Sequence, residues 1–573
     1  MRLPDRESVP ASPVPRDFLD GAETLTGALG TLVEHFPGFR CLTILDRKGE
    51  EQRRTLGELW QRAHEIRAAL ESAGLQPGGV AILILPTGPE LVAAYFGVLL
   101  AGAVPGLVAT PSNRVADHDV YAGRVGAILA NAAGQALYCS PEVGAIFRGD
   151  RAPLLAGAVL LTPDQARGGG GADSAARPQP GDTATIQYSS GSTGTPKGIL
   201  LTHRAMLNNV RAVRDGLGLT ADDVSVNWIP LYHDMGLIDA FLLPLLSGCA
   251  TVLIPTMEFM RDPSLWLWAV HRYRGAISWA PNFAYSVAAN RVPDAELEGL
   301  DLSSWRIAIN AAEPVLARTV EVFARRFSPY GFRPEAMTPA WGLAENVTIA
   351  TAHPVREEPR IERIDRTALA TQNVAEPAGE DGVPSVAIGR CLPGCQVEVR
   401  DGSGAAQEDR RVGAVWLRSD SLLTGYHREA KLTERVLVAG WLDTGDQGYQ
   451  VDGDLFFVSR EKDLIVIGGD KYLPHDVEEA AGRVPGVRAG CAVSFGVQNP
   501  DRGTEDVAVV AETRVEGEED LGKLRTEIRH EVRRATGLGV PHITLVPPGG
   551  VIKTTSGKLA RRANHARYAP DMR

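Results

Sequence analysis

Residues 188–198 read YSSGSTGTPKG and concentrate hydroxyls, glycines and one lysine in a single short segment. Gly191, Gly194 and Gly198 tolerate the dihedrals that turn successive backbone N–H groups toward one anion. Ser189, Ser190, Ser192, Thr193 and Thr195 add hydroxyl donors, and Lys197 adds a rotatable positive charge. A plain polar surface turn is the alternative, and it leaves this density of donors unexplained. The segment is not a Walker A loop, which places Gly before the Lys and Ser or Thr after it; here Pro196 precedes Lys197 and Gly198 follows. The chemistry it suits is the holding of a nucleoside triphosphate in another fold.

Four further motifs follow in chain order. The run 228–236, WIPLYHDMG, puts His233 in a turn bounded by Pro and Gly. Asn310, Ala311, Ala312 and Glu313 lead to Pro314, and Trp341 and Gly342 lead to Glu345, offering an aromatic plane beside a carboxylate. The run 442–446, LDTGD, ends on Asp446. Close to the C-terminus, 554–558 reads TTSGK, placing Lys558 on a loop with Arg561 and Arg562 just beyond. Each of these alone also fits an ordinary turn, and His233 alone fits a structural histidine.

The elements that must carry these residues show in the hydrophobic pattern. Residues 55–72 have Leu56, Leu59, Trp60, Ala63, Ile66 and Leu70 on one face behind a Thr55/Glu58 capping box, which predicts an amphipathic helix. A buried strand is expected over 80–85, a helix over 90–101 and a strand over 103–108. Such alternation predicts parallel sheet with helices on its faces. Residues 168–182 form a Gly/Pro-rich connector, and 235–255 predict a buried helix followed by a strand rather than a membrane span, because Asp239, Pro244 and two glycines interrupt the stretch. After 413 the pattern shifts to short strands. From 471 a compact α+β unit is expected, with helices at 476–483 and 521–536 and strands at 489–495, 506–513 and 543–546.

The 573 residues allow several domains, and 44% hydrophobic with 23% charged residues describes a globular protein. A net charge of −11 argues against general nucleic-acid binding. Residues 1–25 read as a flexible, Pro-rich arm without an apolar leader. The six cysteines are scattered without a zinc pattern, so a reducing cytoplasm is expected. Only eight of the 59 basic residues are Lys, and five of those, Lys197, Lys462, Lys471, Lys553 and Lys558, fall in turn-rich motifs.

In this order the five motifs resemble the adenylate-forming superfamily of acyl-CoA synthetases, peptide-synthetase adenylation domains and luciferases, over about residues 25–568. The resemblance implies an α/β fold: a large N-terminal adenylating domain at 26–459, with parallel and mixed sheets, flanking helices and a β-barrel-like subdomain. A hinge at 460–463, centred on Lys462, would join it to a small mobile α+β C-terminal domain at 464–573. The implied reaction is attack of a carboxylate on the α-phosphorus of ATP, giving acyl-AMP and pyrophosphate. By the same resemblance, the loop from Ser189 to Lys197 binds the β- and γ-phosphates and Glu345 holds Mg²⁺. Lys558 bridges carboxylate and α-phosphate, and His233 lines the entry of the acid. Asn310, Ala311, Ala312 and Glu313 edge the adenine, Trp341 and Gly342 cover its face, and Asp446 with Arg460 binds the ribose.

Within the superfamily the chain looks most like the fatty acyl-AMP ligases, through the motifs 232–237, 312–315, 329–334 and 342–345 and an insert-like segment at 355–388. In that branch the insert restrains the domain rotation needed for thiolation by CoA. The implied product is acyl-AMP passed to an acyl-carrier protein, in lipid or natural-product biosynthesis, with no integral membrane association. A CoA ligase on the same scaffold is the alternative, and an inactive carrier-docking module is a remote one. Trp341 stands where Tyr is usual, Ser459 where Gly is usual and Ile552 where Pro is usual; none of these removes a charged group. Arg561, Arg562 and Arg567 are expected to offer a basic patch to an acidic carrier protein.

Overall fold

Thr55 begins the first long helix in the way its side chain predicts. In the computed structural model the Glu58 amide donates to Thr55 Oγ1 at 3.3 Å, and the Thr55 amide donates to Glu58 Oε2 at 2.8 Å. The helix runs Leu56–Ser72 and buries Leu56, Leu59, Ala63, Ile66 and Leu70. The structure describes residues 12–18, 20–111, 118–168, 177–189, 197–468, 470–499, 502–554 and 557–572. Strands Val80–Ile84, Val104–Leu107, Ala136–Cys139 and Val159–Leu161 pair in parallel, and the 80s strand is buried throughout, as expected for a strand covered on both faces.

A nine-stranded sheet forms the other half of the large domain. Its centre is parallel: Met337–Gly342, Ile307–Asn310, Ile277–Ala280, Val224–Asn227, Ala250–Leu253 and Leu42–Leu45 lie side by side. Trp228, Trp266, Trp279 and Trp305 are fully buried against it, and Trp228 stacks on Phe259 with ring centroids 3.9 Å apart. In an open parallel sheet the loops at the carboxyl ends of the strands converge on one crevice. Those loops here begin at Trp228, Pro281, Ala311 and Leu343, so the segments 228–236, 310–313 and 341–345 are gathered by topology alone.

Beyond this sheet, Cys395–Arg400, Gly413–Ser419, Trp441–Val451 and Asp454–Arg460 form an antiparallel sheet with the short strand Leu437–Val438. The segment 355–388 is a hairpin, Ile361–Ile364 with Val383–Val386, carrying the helix Arg366–Gln372. The chain then passes the exposed Lys462 in the turn Glu461–Asp463 into the last unit. There Val487–Asn499, Thr504–Thr513 and His542–Val546 form a sheet against the helices Pro474–Gly482 and Glu518–Thr536. Its core comprises Ile465, Val477, Val509, Ile528 and Val532.

One expectation changes and one is borne out in a refined form. Residues 12–18 and 20–25 are strapped down rather than loose. Val14 is 2% exposed, Arg214 binds the Arg16 carbonyl at 3.1 Å and Asp20 at 2.6 Å, and the Leu25 amide donates to His203 Nδ1 at 3.2 Å. The partners lie on the helix His203–Leu217, far away in sequence, so local composition does not show the strap. Residues 1–11 lie outside the described residues. The buried helix expected from 235 is a π-helix, Met235–Leu242, running into a short α-helix at Leu243–Leu246 and the strand Ala250–Leu253. Among the described residues no helix is long and apolar enough to cross a membrane.

Candidate active site

Glycine geometry shapes two turns of the crevice. A Cβ on Gly236 would lie 2.1 Å from the Pro230 carbonyl oxygen, so only glycine closes the turn carrying His233. A Cβ on Gly342 would lie 2.3 Å from the Ile349 Cα. The antiparallel pair Met337–Gly342 and Ile349–Ala352 therefore closes tightly, with Glu345 at its tip in the turn Ala344–Asn346.

His233 Nδ1 sits 2.5 Å from Asp234 Oδ1. The Met235 amide already donates to Asp234 Oδ1 at 2.7 Å, and its longer 3.3 Å contact with His233 Nδ1 is secondary. The consistent assignment puts the proton on Nδ1, donated to Asp234, and leaves the Nε2 lone pair free. Lys558 Nζ lies 3.1 Å from that Nε2, bringing together residues 325 positions apart. Burial lowers the Lys558 ammonium from the usual lysine value, opposed by the charges of Asp234 and Glu313. Burial pushes Asp234 up, but His233, Lys558 and the Met235 amide outweigh it and hold the carboxyl at about 2. The site thus sets the Asp234 carboxylate, the His233 ring and the Lys558 amine in line.

Glu313 turns back to accept the Phe283 amide, and burial raises its carboxyl despite Lys558, Lys553 and Arg561 nearby. Asn310 is fully buried and donates to Asn282 Oδ1 at 3.3 Å. Ala311 is buried, and Ala312 takes a left-handed φ of 71°. Trp341 is buried and gives its indole N–H to Asp446 Oδ2 at 2.9 Å. Asp446 also faces Arg460 Nε at 3.5 Å, its cross-strand partner in register. Burial raises the Asp446 carboxyl, and Arg460 and the Trp341 hydrogen bond hold it down only in part.

Glu345 Oε1 accepts the Tyr426 hydroxyl at 2.6 Å, and Lys197 Nζ lies 5.8 Å from the centroid of the same ring. Tyr426 reaches this place because Gly425–Tyr426 pairs with the strand Lys197–Thr202. Lys197 and Glu345 are thereby joined through one side chain. Of the phosphate-loop residues, Ser190, Gly191, Ser192, Thr193 and Gly194 lie outside the described residues; Ser189 ends the strand Thr183–Ser189. That strand is anchored to the His233 turn, since Gln187 Nε2 donates to the Tyr232 carbonyl at 2.9 Å.

Three contributors escaped the sequence reading. Asp234 stood beside His233 in the quoted motif and could have been found as its partner. Tyr426 lies 81 positions from Glu345 and has no sequence signal. Arg561 was expected on a docking patch, but its guanidinium is bound to Glu478 and Asp463. It is therefore withdrawn from that patch. Arg567 lies over the Tyr568 ring at 5.2 Å.

The AMP-binding enzyme family matches residues 32–427. Long-chain-fatty-acid–AMP ligase FadD26 of Mycobacterium marinum is 31% identical, covering 92% of this chain and 93% of its own. A 4-hydroxyphenylalkanoate adenylyltransferase of the same species is also 31% identical, covering 97% and 92%. A solved structure from a study of fatty acyl-adenylate ligases of E. coli and L. pneumophila superposes with a TM-score of 0.88 at 30% identity, covering 98% of this chain and 99% of that one. The chain therefore belongs to the AMP-binding enzymes of the adenylate-forming superfamily and is an acid–AMP ligase. Its substrates are ATP and a carboxylic acid.

Proposed function

We propose that this enzyme converts a medium- or long-chain carboxylic acid to acyl-AMP and delivers it to the phosphopantetheine thiol of an acyl-carrier protein. The observation that carries the reading is the 3.1 Å approach of Lys558 to His233 across the hinge, which puts the ammonium at the mouth of the crevice formed by the large domain. The reactants, a carboxylate and a triphosphate, are both anions, so catalysis rests on positioning and charge neutralisation. One carboxylate oxygen bonds to the α-phosphorus while the α–β anhydride bond breaks, and pyrophosphate leaves with that electron pair. No proton needs to move. Lys558 spans the two oxyanions as they meet, and Asp234 and His233 hold it there. Asp446 accepts the ribose hydroxyls, reinforced by Arg460, while Trp341 and the 310–313 turn bound the adenine.

Magnesium bound with the phosphates would supply further neutralisation, and Glu345 fits the part of its protein ligand. One Glu345 oxygen is held by Tyr426, while the other takes no hydrogen bond among the described residues. Two contacts of the insert support the carrier-protein acceptor. Arg366 Nη1 binds Asp476 at 2.6 Å and Lys471 Nζ approaches Asn373 Oδ1 at 3.4 Å, both between the 355–388 segment and the small domain. Such ties oppose the rotation that CoA thiolation needs.

ATP–pyrophosphate exchange over a panel of straight-chain and aryl-alkanoic acids, with and without CoA or a phosphopantetheinylated carrier, tests the reading. Acid-dependent exchange with acyl transfer only to the carrier is expected. Rapid acyl-CoA formation would overturn the acceptor assignment, and ADP as product would overturn the chemistry.

A further inference from the structure

Arg561 makes three charge-assisted hydrogen bonds: Nε to Glu478 Oε1 at 2.8 Å, Nη2 to Glu478 Oε2 at 2.7 Å and Nη1 to Asp463 Oδ2 at 3.0 Å. The two acids come from different places. Glu478 is on the helix Pro474–Gly482 and also accepts the Ser494 amide at 3.1 Å; Asp463 ends the hinge turn one residue after Lys462. The guanidinium is 19% exposed and the Glu478 side chain 9%, so solvent screens this clamp less than it would a surface pair.

Arg561 opens the helix Arg561–Tyr568, three residues after Lys558. The lysine loop is itself closed. The Thr554 amide donates to the Lys558 carbonyl at 2.8 Å, and the Lys558 amide donates to Thr554 Oγ1 at 3.1 Å. The fully buried Asn564 then pins both ends of the loop, through the Ile552 amide at 2.9 Å and carbonyl at 2.8 Å and the Ala560 carbonyl at 2.9 Å. A closed loop still needs a link to the hinge if its position is to follow the hinge angle. Arg561 supplies that link.

We propose that Arg561 is a positioning residue for Lys558. It clamps the lysine loop to Asp463 and Glu478, so that loop and hinge move as one lever and the ammonium arrives at His233 with its geometry already set. The proposal rests on the adenylation reading for its kinetic consequence but not for its structural one. A lysine in its place would keep the positive charge and lose the fork, since a single ammonium cannot hold a bidentate pair and a third oxygen in one plane. A role limited to charge balance would therefore survive Arg561→Lys, whereas a positioning role would not.

The test uses the full-length enzyme as R561K and D463N, the second leaving the Glu478 pair intact in case R561K does not fold. Two readouts are taken. The first is kcat and KM for ATP in acid-dependent pyrophosphate release. The second is the pH titration of Lys558 labelling by acetic anhydride, followed by mass spectrometry, which needs no turnover. For R561K a kcat loss of roughly 10- to 100-fold with the KM for ATP nearly unchanged is expected, because a small misplacement of a catalytic group costs about that much. D463N should show a smaller loss of the same kind. In both variants the labelling midpoint should rise toward the ordinary lysine value as the amine leaves its desolvated seat, whereas a merely structural contact would leave that midpoint in place. Parent-like kcat and parent-like midpoint in both folded variants would overturn the clamp. A shifted midpoint alongside a parent enzyme that releases no acid-dependent pyrophosphate would uphold the clamp and sink the adenylation reading instead.

Discussion

In the large domain, Trp341 and Asp446 stand on strands and Glu345 in the turn after one, and each has a fixed partner: Glu345 accepts the Tyr426 hydroxyl, Trp341 donates to Asp446, and Asp446 also faces Arg460 across the strand pair. Near the C-terminus, the corresponding group is one lysine on a loop, held by the charges of Asp234 and Glu313 and by the ionic contacts of Arg561 behind it. The first half is built by register and burial, and its distances change only if the sheet changes. The second is held by a few charged contacts between residues far apart in the chain. Substitutions should therefore act differently in the two halves. Changes in the first half should cost stability and nucleotide binding together, whereas changes in the second should cost turnover alone.

The largest effect is expected from Lys558→Ala. Pyrophosphate exchange should fall by roughly 10²- to 10³-fold, the loss typical of removing a donor aimed at developing charge, with ATP binding and the melting temperature little changed. An exchange rate within a few-fold of the parent would mean that the hinge-borne lysine is not the catalytic one.

Trp341→Phe probes the other half. It keeps an aromatic plane and deletes the N–H that Asp446 Oδ2 accepts, leaving a buried acceptor unpaired. A stability loss of about 1–3 kcal/mol is expected, together with a higher KM for ATP. Unchanged thermal unfolding would break the claim that the buried contacts of this half carry both burdens.

Asp234→Asn separates charge from shape. Asp234 raises the Lys558 value, so removing its charge should let that value fall further and move the alkaline limb of the pH–rate profile to lower pH. The sign for stability runs the other way in acid. The carboxyl is depressed to about 2, so its contribution is complete above its unfolded value of roughly 3.9 and is lost as pH falls toward 2. Parent and variant should thus converge in thermal unfolding near pH 2.

Arg366→Ala should have the smallest effect on adenylation, within about twofold, because an ion pair that is part exposed contributes little to stability. Its informative readout is acyl-CoA formation. Appearance of thioester in the variant would tie the insert contact to acceptor choice; its absence would assign that restraint elsewhere.

Much of this was legible before any coordinates. The Thr55 capping box, the alternation through 80–108 and the closing α+β unit depend on local propensity and periodicity, and each is observed within a few residues. Two readings failed for one shared reason. The strap of residues 12–18 and 20–25 and the internal engagement of Arg561 depend on partners almost 200 and about 80–100 positions away. The π-turns at 235–242 are likewise invisible to a pattern that registers only which side chains are apolar.

By itself, the order of residue types along the chain determined the chemistry on offer: a glycine-rich anion loop, a histidine turn, two separated carboxylates and a terminal lysine. Only the folded chain decided that Tyr426 joins Lys197 to Glu345 and that Lys558 reaches His233 across 325 positions. The physical reason is that hydrogen bonds and charge pairs act over a few ångströms of space. Sequence spacing constrains that space only within one helix, strand or turn.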